Sequence, residues 1–299
     1  MPATSLSPKD LFDPEFLASL AQLRILAGRV ARGGRHAEQR SKDLGSGIEF
    51  RDFRPYSPGD DFRAIDWNIY RRLGRVFLKL FEEFEDLPVY LLPDCSLSLF
   101  LEEPPRIKAG LRTALALASI ALNQHDSVGI FPFGESLTTA LRPQAGKGRL
   151  MRVAERLSAV EPQGSTDFAS SFRTFNAMKL REGLVVVISD FFDPGGIEAV
   201  TKALKTLRHR LLLVQLVRKS DARPELQGDL QLIDCETGAA EDVSATAAVL
   251  QAYAESYRRF ETGLTKFAKS RQIGLLQLDV EQAVLPQLAT LFESGSYRP

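Results

Sequence analysis

From residue 88 to its end, this chain alternates short apolar runs with stretches of helical period, and that alternation constrains its fold most. The run Gly183–Asp190 reads GLVVVISD, with four β-branched residues in succession. A run this short and this apolar suits a strand covered on both faces. Similar runs lie at Val89–Pro93, Val128–Phe133, Arg210–Val217, Leu230–Ile233 and Gly274–Leu278, with a second short strand expected at Leu137–Leu141. Between them the spacing predicts helices over 106–123, 147–159, 167–178, 196–208, 245–270 and 281–292, with a loop over 218–229. Strands alternating with helices give an α/β fold, a doubly wound, mainly parallel sheet with helices on both faces.

The first 84 residues read differently. Leu17, Leu20, Leu23, Ile25, Leu26 and Val30 recur at helical spacing, and Asp13-Pro14 is an N-cap followed by proline at the first helical position. A helix over 14–31 follows, stopped by Gly33-Gly34. From Arg24 to Lys42 there are six basic residues (Arg24, Arg29, Arg32, Arg35, Arg40, Lys42) and the single acid Glu38, a local charge of +5. A turn-rich stretch comes next, with a short strand around Ile48, Phe50 and Phe53, and with Asp60 or Asp61 placed to cap a helical turn carrying Ile65 and Trp67. Residues 76–81 alternate as a strand. The expected division is an N-terminal helix and β-rich extension over 1–84 and an α/β domain over 85–299.

Composition narrows the function classes. Lys plus Arg number 38 and Asp plus Glu 38, so the chain has no bulk attraction for polyanions. Nucleic acid is therefore not an expected partner, and the basic run 24–42 lacks the interleaved aromatics of a stacking platform. The run suits a solvated face; contact with an acidic partner or with a membrane periphery stays open. The two cysteines, Cys95 and Cys235, make neither a disulfide framework nor a metal spacing. The N-terminus lacks the order of a signal peptide, and no apolar run nears the ~20 residues that span a bilayer. A cytoplasmic protein is the expectation.

In open α/β sheets, ligands bind beyond the carboxyl ends of the strands. After the strand at 89–93 comes Asp94-Cys95-Ser96-Leu97-Ser98, and after the strand at 184–189 comes Asp190. Between them Thr166 stands at the start of a predicted helix. Residues two apart in an extended segment point the same way, so Asp94, Ser96 and Ser98 turn their oxygens to one side and Cys95 to the other. Two carboxylates and three hydroxyls are hard oxygen donors, the set that Mg²⁺ prefers and that Mn²⁺ or Ca²⁺ also accepts. The same residues also suit turn and cap roles. Asp193 is a weaker candidate for a supporting part. Gly146-Lys147-Gly148 lacks the full phosphate-loop spacing, His36, His125 and His209 are isolated, and no hydrolase signature occurs.

In this order, Asp94, Ser96, Ser98, Thr166 and Asp190 resemble the metal-ion-dependent adhesion site of von Willebrand factor A domains. Upstream, Tyr56, Pro58, Gly59, Asp60, Asp61, Arg63, Ile65, Asp66 and Trp67, with Glu49-Phe50, Arg54-Pro55 and Glu85, resemble the bacterial "domain of unknown function 58" family, whose hallmark is YxPGDDxRxIDW. Pro93 departs from that family's usual aliphatic or acidic residue and puts the last strand hydrogen bond in question. The resemblance implies a von Willebrand A-like domain and a metal-dependent protein-binding adaptor without catalytic residues. It further implies a partnership with a MoxR-type AAA+ ATPase and a client protein that is assembled or matured. The motif residues Tyr56 to Trp67 would be structural or docking elements, and the acids among them equally suit a network of ion pairs and caps. Two other readings remain beside it. One is a Mg²⁺-dependent phosphoester hydrolase using the same carboxylates, with Asp94, Asp167 or Asp193 as base or nucleophile. The other is a metal-free interaction protein that uses the basic helix.

Overall fold

The computed structural model describes residues 11–23, 48–58, 60–83 and 87–293. The basic run 24–42, the end of the helix expected over 14–31, Gly59 and Glu85 lie outside the described residues. The chain forms two compact units, Ala37–Asp86 and the remainder.

The larger unit is built on a six-stranded sheet of β3 (Val89–Pro93), β4 (Val128–Ile130), β5 (Leu141–Gln144), β6 (Leu184–Ser189), β7 (Arg210–Val217) and β10 (Gly274–Asp279). Its spatial order is β10-β7-β6-β3-β4-β5, all parallel except the β5 edge, which runs antiparallel to β4. Chain progression reverses direction between β3 and β6: β4 follows on one side of β3, and β6 starts the other side. This is the doubly wound order 3-2-1-4-5-6 closed by an antiparallel edge, the von Willebrand A-like form of the α/β fold expected above.

Strand alternation sorts the core into two layers. Leu91, Val186, Ile188, Leu212 and Val214 face one side, where they meet α4 (Arg106–Asn123), α5 (Leu150–Ser158) and α10 (Val284–Glu293). Tyr90, Leu92, Val185, Val187 and Leu213 face the other, against α6 (Phe168–Ala177), α7 (Gly196–Leu204) and α9 (Ala247–Ser270). Both faces being covered explains the unbroken apolar runs. Gly110 on α4 permits a close helix–sheet approach: a Cβ there would stand 3.2 Å from Leu216 and 3.3 Å from Ile188.

The first helix, α1, is described over 14–23 and belongs to this unit. Leu11, Phe12, Phe16, Leu20 and Leu23 enter the α4 layer. Asp13 caps the helix by accepting from Phe16 N at 2.8 Å, and Arg112 of α4 donates to Leu11 O at 2.8 Å. The sequence grouped this helix with the extension over 1–84; its apolar stripe places it instead with the α/β unit.

Three further differences concern edges. The strand expected at Leu137–Leu141 is displaced to Leu141–Gln144, and Leu137 makes only one bridge, to Phe133. The loop expected at 218–229 begins with a short helix, α8 (Lys219–Ala222). The strand near Leu230 is the first arm of a hairpin, β8 (Gly228–Ile233) with β9 (Ala240–Ala245). The polar AEDVSA of β9 carries no apolar alternation, because both faces of the hairpin are largely exposed.

In the smaller unit, β1 (Ile48–Pro55) pairs antiparallel with β2 (Phe77–Glu83), with a register shift between Phe50 and Asp52. The motif acids act locally. Asp60 pairs with Arg54 and accepts from Ser57 N at 2.8 Å. Asp61 caps the 3₁₀ turn Phe62–Ala64. The cap of α2 (Trp67–Leu73) is Asp66, not Asp60 or Asp61, accepting from Asn68 N at 2.8 Å and Ile69 N at 3.1 Å. Ile65 is buried beside Leu78, while Trp67 is 58% exposed.

Candidate functional site

β3 and β6, the strands that flank the reversal, end at the same level, because Pro93 pairs with Ile188. Pro93 has no N–H to give, yet its carbonyl accepts from Phe133 N at 3.0 Å and Asp94 N donates to Ile188 O at 2.8 Å. The ladder therefore continues through the position that the proline put in question. Asp94 thus stands across from Ser189, with Asp190 next along the chain.

The loop carrying Thr166 is stitched to the Asp94–Ser98 segment and to Gly134 by backbone hydrogen bonds. Gln163 N donates to Cys95 O at 2.7 Å, Leu97 N to Gly164 O at 3.0 Å, and Asp167 N to Gly134 O at 3.0 Å. These bonds bring Thr166 Oγ1 to 3.1 Å from Asp94 Oδ1, which also accepts from Ser96 N at 2.9 Å. Ser96 Oγ and Ser98 Oγ lie 3.1 Å apart. Cys95 points away into the core and its thiol reaches Pro93 O. Four of the five expected residues, Asp94, Ser96, Ser98 and Thr166, are thus joined by hydrogen bonds.

Asp190 is linked to them electrostatically. Asp94 and Asp190 are both buried, at 2% and 6% exposure. Burial pushes the Asp94 carboxyl up, since little water remains to solvate its charge. Burial pushes Asp190 up to about 7, and the Asp94 charge adds to the rise. Two buried carboxylates that feel each other's charge, one of them raised to about 7, make this a candidate functional site.

Ser189 was not singled out by the sequence. It is fully buried, donates to Asp94 Oδ2 at 2.6 Å and accepts from Phe191 N at 2.8 Å. The available signal was the lone hydroxyl ending an otherwise apolar strand. Phe191 itself adopts φ 62°, an uncommon conformation for a non-glycine residue, so the turn after Asp190 holds backbone strain. Arg106, at the start of α4, is also new to the site. Its charge lowers Asp190 while its guanidinium is engaged elsewhere, with Asp221 at 2.8 Å, Glu102 at 2.8 Å and Leu216 O at 3.3 Å.

Of the three groups named as base or nucleophile for a hydrolase, Asp94 lies in the hydrogen-bonded set and the other two have local backbone partners. Asp167 caps α6 by accepting from Ser170 N at 2.8 Å, and Asp193 accepts from Gly195 N at 2.7 Å. Among the described residues, no three His, Cys, Asp or Glu stand together as a metal cluster, so a cation here would rely on hydroxyls beside the two aspartates. No helix among the described residues is long and apolar enough to cross a membrane.

The chain is 24% identical over 291 residues to the uncharacterized protein Rv1480 of Mycobacterium tuberculosis, covering 95% of this chain and 91% of the relative. Among solved structures it resembles the conserved hypothetical protein BatB from Bacteroides thetaiotaomicron, at 15% identity and a TM-score of 0.38, over 70% of this chain and 98% of that one. It also resembles the SpRpn10 VWA domain, at 12% identity and a TM-score of 0.38, over 68% and 94% of the two chains. The strand order and its antiparallel edge carry the fold assignment. The model described as "Protein of unknown function DUF58" matches residues 52–263, so the chain belongs to the DUF58 family.

Proposed function

We propose that this chain is a divalent-cation-dependent protein-binding adaptor that works with a MoxR-type AAA+ ATPase on a client protein. Its contact site is the cup of Asp94, Ser96, Ser98, Thr166 and Asp190. The observation that supports this best is the pair of buried carboxylates at the switch point, with Asp190 pushed up to about 7. Burying two like charges is costly unless a positive charge offsets them. Arg106 does so only from a distance, since its hydrogen bonds go to Asp221, Glu102 and Leu216 O.

The donors fit Mg²⁺, Mn²⁺ or Ca²⁺ and not zinc or copper. All are oxygens, and the nearest thiol, Cys95, is turned into the core. Asp94 and Asp190 would supply the charge, and Ser96, Ser98 and Thr166 the neutral oxygens. A bound cation would offer a coordination position to a partner's Asp or Glu. The chain's own residues prepare that contact. Ser189 fixes the rotamer of Asp94, and the backbone bonds of Gln163 and Gly164 to Cys95 and Leu97, with that of Asp167 to Gly134, hold Thr166 against it.

The test is a thermal-shift titration of the full chain with Mg²⁺ and Mn²⁺, followed by pull-down of the MoxR-type ATPase with and without chelator. A saturable rise in Tm is expected, lost in Asp94→Asn, with the ATPase recovered only when metal is present. A Tm indifferent to both metals overturns the cation. Recovery of the ATPase unchanged by chelator overturns a metal-dependent contact.

A further inference from the structure

Two surface features, formed by residues other than the five oxygen donors, carry opposite charge. The first is the face of α2. This helix buries none of its residues. Trp67 is 58%, Tyr70 44% and Leu73 66% exposed, and Phe62 just before the helix is 67% exposed. Trp67 meets Tyr70 edge-on at 6.1 Å, and Phe62 stacks on Tyr56 at 5.7 Å, so the aromatic surface is ordered by its own contacts. Arg63, Arg71, Arg72 and Arg75 lie in the same segment of chain, all exposed. The acids of this segment have local partners: Asp60 pairs with Arg54, Asp61 caps a turn and Asp66 caps α2. The four guanidinium groups make no ion pair among the described residues. Trp, Tyr and Arg are the residue types enriched at protein-binding hot spots.

The second feature is the hairpin β8–β9. From Gly228 to Thr246 the chain has five acids, Asp229, Asp234, Glu236, Glu241 and Asp242, and no Lys or Arg. Their hydrogen bonds go to neutral groups: Asp229 accepts from Ser244, Asp242 from Gln231, and Asp234 from Glu236 N and Thr237. None makes an ion pair among the described residues. Leu232 and Ile233 are 43% and 66% exposed on this arm. Two-stranded hairpins hold little stability alone, and their free strand edges invite pairing.

We propose that the acidic hairpin of one copy of this chain docks on the arginine–aromatic face of α2 in a second copy. Charge complementarity carries the assignment. The basic groups of one patch and the acidic groups of the other make no ion pair among the described residues, both patches expose apolar side chains, and the two have opposite sign. The patches differ, so the contact is head-to-tail and each added copy leaves one patch of each kind free. This association is independent of any cation at Asp94 and Asp190.

The experiment is sedimentation velocity of the full chain from about 1 to 100 µM, a range that reports micromolar affinity. It is run in chelator at low and at high salt. Self-association that grows with concentration and is lost at high salt is the expected result, since exposed charges are screened. Two variants, Arg71→Glu with Arg72→Glu and Glu241→Lys with Asp242→Lys, should each stay monomeric and melt like the parent. Mixed together, they offer one intact hairpin for one intact arginine face and, at the other contact, exchanged charges of opposite sign, so the mixture should associate again and lose that association at high salt. A parent chain that is monomeric throughout the range overturns the proposal, whatever becomes of the variants. So does self-association that is insensitive to salt or survives in both variants.

Discussion

Ser189 donates its hydroxyl hydrogen to Asp94 Oδ2 at 2.6 Å, across the two strands between which the sheet reverses its order. The same hydroxyl accepts from Phe191 N, so one buried oxygen holds both the Asp94 rotamer and the turn that follows Asp190. The candidate site thus depends on a residue that is itself no part of the expected ligand set.

Ser189→Ala should accordingly remove two hydrogen bonds at once and leave Phe191 N–H without its acceptor. A loss of about 1–3 kcal/mol is expected, read as a lower urea midpoint with unchanged slope. The metal-induced rise in Tm should shrink as well. A midpoint equal to that of the parent would show that the turn is held by other means.

Asp190 sets a pH dependence. Its folded value is raised to about 7 from an ordinary 3.8, so the folded state holds this proton more tightly than the unfolded chain does. Its contribution to stability is therefore fully present below about pH 4 and is lost as pH rises through about 7. Three units correspond to about 4 kcal/mol as an order of magnitude. In chelator, urea stability should fall between about pH 4 and 7, and the fall should be shallower in Asp190→Asn. A parent and variant with parallel profiles would refute the assignment.

Replacing the charge should stabilise the metal-free protein while disabling the site. In chelator at pH 8, well above the raised value of Asp190, Asp190→Asn removes one of two like charges buried together. A higher Tm than the parent is expected, together with a lost response to Mg²⁺ or Mn²⁺. Differential scanning calorimetry in chelator and in excess metal distinguishes the two effects.

The Arg106–Asp221 pair is nearly dry, with side chains 5% and 8% exposed. Asp221→Ala leaves the guanidinium buried with only Glu102 and a carbonyl to meet it. The expected cost is about 3–5 kcal/mol, measured by urea denaturation. Arg106→Met with Asp221→Leu should recover most of it, because an apolar pair needs no counter-charge. Failure of the double variant to recover would mean that Asp221 acts mainly through its cap on Arg218 N.

Much of the α/β unit was legible in the chain. Buried parallel strands leave runs such as VVVI that few other structures tolerate, and amphipathic helices leave their own period. The acids at the strand ends were legible for the same reason, since the strands that place them were. The edges were not. β9 and the true position of β5 lie where side chains face water, and there no hydrophobic pattern records the strand. The cap of α2 was read one turn too early because Asp60, Asp61 and Asp66 all have capping chemistry, and only the backbone path chooses among them.

The sequence by itself determined the strand and helix alternation, the doubly wound class and the oxygen chemistry of Asp94, Ser96, Ser98, Thr166 and Asp190. These follow from periodicity and residue type, which are local. Only the tertiary structure decided that β3 and β6 are neighbours, that Ser189 stands against Asp94, and that α1 belongs to the α/β unit. It also decided that the motif acids serve as caps and pairs while Trp67 faces solvent. Strand order and burial arise from contacts between residues far apart in the chain, and no local pattern encodes which distant partner each residue meets.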